Sequence, residues 1–273
     1  RQTGLLELLP QRETMGLLGI DGKEYPIPTL EKIQQTLEKN KETYQTKLNQ
    51  GFTELNLTPF GSPLGKLTEL LKRSILKHHQ DHKLFGLDFD AQGNSKQVPL
   101  DLDTQNPLYV WDKLNESDDN GSLIYYPKQF TQDHQGQTKR QLLAEPATFP
   151  GWRPLLLEPN PLIPRQNKGQ TIGNRKQLEA GESPNDYLKT LLTDPTYVHE
   201  QGQTPEDWLT RFLKRLQKDN LVLNDYLNNV DSLNYLLGAY HPSSDYVPDG
   251  YWGRDYRGAG LDRYGPQSSD VSC

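Results

Sequence analysis

Proline is the residue that most limits what this chain can become. Twenty prolines are spread along 273 residues. Each removes a backbone donor and interrupts the interior of a helix or a central strand. The chain must therefore be assembled from short elements with many connections. Hydrophobic residues make up 33% of it and mean hydropathy is −0.84. Globular chains usually reach roughly 45–50% apolar with glycine counted. We expect real cores joined by long polar connections, not one dense core. The length suits one large domain or two small ones.

Charge and cysteine narrow the class. A net charge of −6 lacks the basic excess of a general nucleic-acid binder, so no nucleic-acid partner is expected. No apolar run approaches the ~20 residues of a membrane span. The first apolar cluster, Leu5 to Leu9, is broken by Glu7 and stopped by Pro10, unlike a secretory signal. The chain starts at Arg1, which leaves room for an upstream segment. No compartment is assigned. The only cysteine is Cys273, the last residue, so disulfides and cysteine metal sites within the chain are excluded. An end at Cys273 reads as cut, so a shortened copy is expected.

The pattern along the chain predicts an α+β protein. Leu17 to Ile20 and Glu24 to Pro26 form a hairpin around Asp21-Gly22, a dipeptide suited to a tight turn. Thr29 caps a helix whose stripe is Leu30, Ile33, Leu37, Tyr44 and Leu48, with Gly51 as its stop. Ser62 caps a second helix, with Pro63 at its first position and an apolar face from Leu64 to Ile75. Strands are expected over 84–89, 98–102, 109–111 and 123–126. Residues 131–141 are polar and read as loose. A boundary falls near 145. A strand over 154–158 follows, then a long loop over 159–176 rich in proline, glycine and asparagine. Ser183-Pro184-Asn185-Asp186 and Thr204-Pro205-Glu206-Asp207 start two helices the same way. Each has a hydroxyl cap, proline first and aspartate third, where the carboxylate meets the positive helix end. Residues 221–240 supply core.

Candidate chemistry is sparse. His78 and His82 have metal-binding spacing on one helix face but lack a third ligand, and read as helix-end histidines. Asp88 to Gly93 opens like a calcium loop, yet its twelfth position is Pro99, so it reads as a hairpin turn. Lys168 to Lys176 reads as an exposed basic loop able to hold an anion weakly. Neither Gly-x-Ser-x-Gly nor His-Glu-x-x-His occurs. No catalytic residue, metal site or cofactor is expected.

From Tyr240 onward the composition shifts to Tyr, Gly, Asp, Arg and Ser. A strand over 256–264 shows Arg257, Ala259, Leu261 and Arg263 on one face. Its other face carries Tyr256, Gly258, Gly260, Asp262 and Tyr264. Tyrosine beside small residues is the chemistry of adaptable binding surfaces. The competing reading is a glycine-rich loop over a core.

The run from Tyr251 to Pro266 resembles the final hairpin of C-type-lectin-like modules of the formylglycine-generating-enzyme type. It is most similar to the variable proteins of diversity-generating retroelements. There, adenine-directed reverse transcription rewrites codons toward Tyr, Asn, Asp, Ser or Gly. The resemblance is strongest over 237–273. It implies Trp252, Arg254, Arg257, Ala259, Leu261 and Arg263 as scaffold. It implies Tyr251, Gly253, Tyr256, Gly258, Gly260, Asp262 and Tyr264 as the displayed face. The family's closing Gly-x-Arg strand is absent here, and so is the catalytic cysteine pair of the true enzymes. The resemblance therefore implies fold and binding, not oxidase activity.

The expected architecture is an N-terminal α+β region, 1–145, with two helices and a small sheet. A C-type-lectin-like region, 146–273, follows, with two capped helices on an irregular sheet. Its expected role is non-catalytic recognition of a protein or surface glycan through Tyr246, Tyr251, Tyr256, Asp262 and Tyr264. One alternative is a hydrolase of sugar polymers using Asp245, Asp249 or Asp255 as acid and base. It requires two carboxyls about 5–9 Å apart in a cleft. The binding reading expects a shallow aromatic face without a shifted carboxyl. The other alternative is partner docking through helices 29–49 and 62–80, marked by exposed apolar stripes.

Overall fold

The computed structural model describes residues 5–90, 94–226 and 233–269. The chain is mixed α+β, with six α-helices and several small sheets among these residues. It opens with an antiparallel meander of β1 (Glu7–Leu9), β2 (Thr14–Leu18) and β3 (Glu24–Pro26). The expected hairpin is β2–β3, with Leu18 opposite Glu24 and Gly22 at φ 76° in the turn.

The expected single helix after Thr29 is two, α1 (Leu30–Lys39) and α2 (Lys41–Asn49). The stripe has no apolar residue between Leu37 and Tyr44. Asn40 breaks the helix there at φ −112°, and its side-chain amide donates to the Thr36 carbonyl. Asparagine competes with the helical backbone in this way.

Next come β4 (Glu54–Thr58) and α3 (Leu64–Gln80). The cap of α3 differs from expectation. Pro63 is extended, and the Leu64 amide donates to Asp118 Oδ2 at 2.8 Å rather than to Ser62. Then follow β5 (Phe85–Phe89), β6 (Ser95–Pro99), β7 (Leu108–Val110) and β8 (Ile124–Tyr125). The supposed calcium loop is the β5–β6 connection, where Asp90 accepts from the Asn94 backbone at 2.8 Å. Its residues 91–93 lie outside the described residues.

The segment read as loose carries β9 (Gln137–Thr138) and α4 (Lys139–Ala144), the latter with a complete Thr138–Gln141 capping box. Lys139 is wholly buried. After β10 (Arg153–Leu157), the supposed continuous loop holds a small hairpin of β11 (Thr171–Ile172) and β12 (Arg175–Lys176). Gly173 and Asn174 both have positive φ in its turn, the requirement of a tight mirror-type turn. Arg175 is buried between Glu158 and Glu200, which corrects its reading as part of an exposed basic loop.

The twin helix starts are α5 (Pro184–Thr193) and α6 (Pro205–Asp219). Thr204 and Asp207 close a full capping box, with the Thr204 amide donating to Asp207 at 2.9 Å. In α5 the Ser183 hydroxyl instead donates to Asp186 at 2.5 Å. The remaining strands are β13 (Asp225–Tyr226), β14 (Asn234–Tyr235), β15 (Ala239–Tyr240), β16 (Val247–Gly253) and β17 (Gly258–Tyr264).

Residues on both sides of position 145 share one core. Leu67, Leu71 and Trp111 join Trp208, Phe212, Trp252 and Leu261 in a single cluster. Strands also cross the line: β4 pairs with β10, β8 with β15, and β7 with β17. The apolar face of α3 is consumed by this core, including Leu67, Leu71 and Ile75. His78 on α3 is held too, its ring nitrogens lying 2.7 Å from the Ser74 carbonyl and 3.0 Å from that of Leu216. No described helix is long and apolar enough to cross a membrane.

Candidate functional site: a tyrosine and aspartate face on the terminal hairpin

The hairpin β16–β17 is the centre of a five-stranded sheet. Antiparallel pairing runs from Val247 opposite Tyr264 to Gly253 opposite Gly258. β7 lies parallel beside β17, while β13 and β14 flank β16. Alternation gives the two faces different jobs.

One face is packed. Gly250 sits so close to the Trp208 ring that a Cβ there would overlap it. Trp252, Ala259 and Leu261 are buried beside it. Arg254 anchors the hairpin end, bonding Asp225 through two nitrogens at 2.6 and 2.9 Å and Asp88 at 2.7 Å. Arg257 and Arg263 are exposed.

The other face carries Asp249, Tyr251, Gly253, Gly258, Gly260 and Asp262. Two of its glycines are seats for tyrosines. The Tyr251 ring lies on Gly260, where a Cβ would collide with it. The Tyr256 ring lies over Gly253, at 2.6 Å from the place a Cβ would take. The two rings are 6.4 Å apart and inclined by 57°. Tyr256 lies in the turn, two residues before the strand begins at Gly258, and is 73% exposed. The predicted strand start at 256 is corrected accordingly. A third tyrosine, Tyr109, stands opposite Gly260 on β7 and is 47% exposed. The residue pattern predicts a strand there, but local spacing cannot pair it with Gly260, about 150 residues away.

The expected site residues divide. Tyr251, Tyr256 and Asp262 come together. Tyr264 sits at the far end, its ring 4.9 Å from that of Tyr235 in a secondary core. Tyr246 turns to Trp111, 5.8 Å between centroids, and to the guanidinium of Arg263 at 5.2 Å. Of the carboxylates named for a hydrolase, Asp245 accepts from the Tyr240 hydroxyl at 2.7 Å, and Asp255 lies exposed in the hairpin turn.

Asp249 is different. Register sets it directly opposite Asp262. It is 3% exposed, and its Oδ1 has no hydrogen-bond partner among the described residues. Burial first, and then the charge of Asp262, push its carboxyl up to about 8. Burial also raises Asp262, although Arg263 beside it pulls the other way. Tyr251 is held above the ordinary phenol value by burial and by both aspartates. At neutral pH Asp249 therefore mostly keeps its proton, so the two aspartates are not a pair of bare carboxylates. A shallow aromatic face without a shifted carboxyl was expected, and here a shifted carboxyl lies within it. The signal was the cross-strand register, which the spacing of single residues does not carry.

No family model, curated protein or solved structure matches this chain. Function rests on the chain's own geometry. Among the described residues no group of three or more metal-ligating side chains gathers.

The glycine seats give a direct expectation. Gly260→Ala drives a methyl group into Tyr251, at a cost of about 1–3 kcal/mol for an overpacked site. Thermal melting reads the loss, and tyrosine fluorescence reads the displaced ring. An unchanged melt and spectrum would show that Tyr251 does not lie on Gly260.

Proposed function

We propose that this protein recognises a protein or surface-glycan ligand without covalent chemistry, through Tyr251, Tyr256 and Tyr109 with Asp262 beside them. The observation that supports this reading is the seating of two tyrosine rings on glycines of one sheet face. Rings fixed in this way offer contact area and hydroxyl groups with little entropy left to lose on binding. Tyr256 and Tyr109 are large aromatics left open to solvent. A neutral Asp249 behind them lowers the desolvation cost of covering the face. The C-type-lectin-like arrangement and the diversified character of the hairpin belong to the same proposal. Trp252, Ala259 and Leu261 act as its scaffold, and Tyr251, Tyr256 and Asp262 as displayed positions. A near-copy repeat in the genomic DNA, differing only at adenines, is the test of that character.

A hydrolase is the second reading, favoured by the raised Asp249 beside Asp262. Paired carboxyls with separated protonation are how sugar hydrolases assign acid and base. Against it, Asp249 is almost closed to solvent, where a sugar would have to reach it.

The deciding experiment screens the full chain against immobilised glycans and cell-surface proteins, beside the double variant Y251S/Y256S. We expect bound ligands to be lost or weakened at least ten-fold in the variant, with a normal melt. Equal capture by both proteins, or none by either, contradicts the proposal. Hydrolysis of an arrayed glycan, abolished by Asp249→Asn, selects the second reading.

A further inference from the structure

A cavity of about 560 Å³ lies away from the tyrosine seats, among α2, β10, α6 and β14. That volume falls in the range of small-molecule sites, roughly 300–1,000 Å³. Its wall carries four cations, Lys47, Arg153, Arg175 and Arg211, and two carboxylates, Glu158 and Glu200. The carboxylates are already committed. Arg175 bonds both oxygens of Glu200 and one of Glu158, each at 2.8 Å. Lys47 adds a third contact to Glu200 at 2.8 Å.

That leaves two guanidiniums incompletely matched. Arg153 reaches Asp207 through Nη1 at 3.2 Å, and through the same nitrogen the Tyr126 hydroxyl. Its Nη2 is buried without a hydrogen-bond partner among the described residues. Arg211 is buried, and its nearest carboxylate is Glu54 at 3.8 Å, already held by Lys214 at 2.8 Å. Among the described residues its Nη2 hydrogen-bonds the Glu158 carbonyl, at 2.5 Å. Burial first, aided by the charge of Arg215 and only partly offset by Glu54 and Glu158, brings the Arg211 guanidinium down to about 10. A buried cation with so little compensation is costly unless an anion completes it. Guanidinium geometry suits carboxylate and phosphate. The wall also carries Leu155, Leu157, Leu178 and Leu191, interspersed with polar side chains such as Asn160, Gln203 and Asn234.

We propose that this cavity binds a small organic anion, a carboxylate or phosphate on an apolar body, with Arg153 and Arg211 supplying the charge and the leucines the contact. Nothing in this proposal depends on the tyrosine face.

Calorimetric titration of the full chain with octanoate, octyl phosphate and 1-octanol tests it. We expect at least one of the two anions to saturate at one per chain, and 1-octanol to bind at least ten-fold more weakly. Which anion binds identifies the head group. Arg211→Met should weaken the anion at least ten-fold while leaving 1-octanol unchanged. The octanol comparison needs no variant, so it decides even if R211M does not fold. Absence of saturation by both anions overturns the proposal. So does 1-octanol binding as tightly as the anions, or R211M binding them like the parent.

Discussion

Asp249→Asn raises the free energy of unfolding by about 4 kcal/mol at pH 7 and by less than about 1 kcal/mol at pH 4. The aspartate has a pKa of 3.8 when free and about 8 in the fold. Between those values the unfolded chain releases a proton that the folded chain keeps. Folding therefore loses stability as pH rises through this window, and the penalty is complete above about 8. Below 3.8 both states are protonated and the penalty vanishes. Asparagine cannot ionise, so it removes the penalty and only where the penalty exists. Urea denaturation at pH 4, 7 and 9 reads the difference, with unchanged m-values as the check on two-state behaviour. A gain independent of pH, or no gain, would show that Asp249 is not a buried acid. A carboxyl that destabilises its own fold at neutral pH marks a place where local stability has been given up, as functional sites often do.

The second large effect lies in the core shared across the chain. Lys139 is wholly buried and bonds Asp118 at 2.7 Å, Glu206 at 2.9 Å and the Ser62 carbonyl at 2.8 Å. Tyr125 donates to Glu206 at 2.7 Å. Burial works against the ammonium, but Glu206 and Asp118 more than offset it and hold its pKa above the ordinary lysine value. Its contribution is thus fully present at neutral pH and is lost only as pH rises through that raised value. Lys139→Met leaves two buried carboxylates uncompensated and should cost about 3–5 kcal/mol. Neutralising them as well, in K139M/D118N/E206Q, should recover much of the loss. A single-variant loss below about 1 kcal/mol in urea denaturation would show that the group is solvated rather than buried. Asp118 also caps α3, so D118N alone should destabilise as well.

These two sites show what the sequence makes legible. The starts of α5 and α6 were readable because a cap and its amide lie three residues apart. The β2–β3 turn was readable for the same reason. The cap of α3 was not, since Asp118 lies 54 residues beyond Leu64. Lys139 sat in a polar stretch that looked like surface, because its two carboxylate partners lie far along the chain. The tyrosine and glycine alternation on β17 was visible as a pattern of period two. Which tyrosines share the face was not. Tyr109 arrives by parallel pairing, Tyr246 departs to Trp111, and Asp249 meets Asp262 only once the register is known.

The most direct test of the recognition proposal is amide chemical-shift mapping by nuclear magnetic resonance, with the tightest glycan or protein from the capture screen. The proposal predicts shifts concentrated at Tyr109, Tyr251, Gly253, Tyr256, Gly260 and Asp262, with the wall of the arginine cavity unmoved. Shifts centred on Arg153 and Arg211, or spread evenly over the molecule, would contradict it.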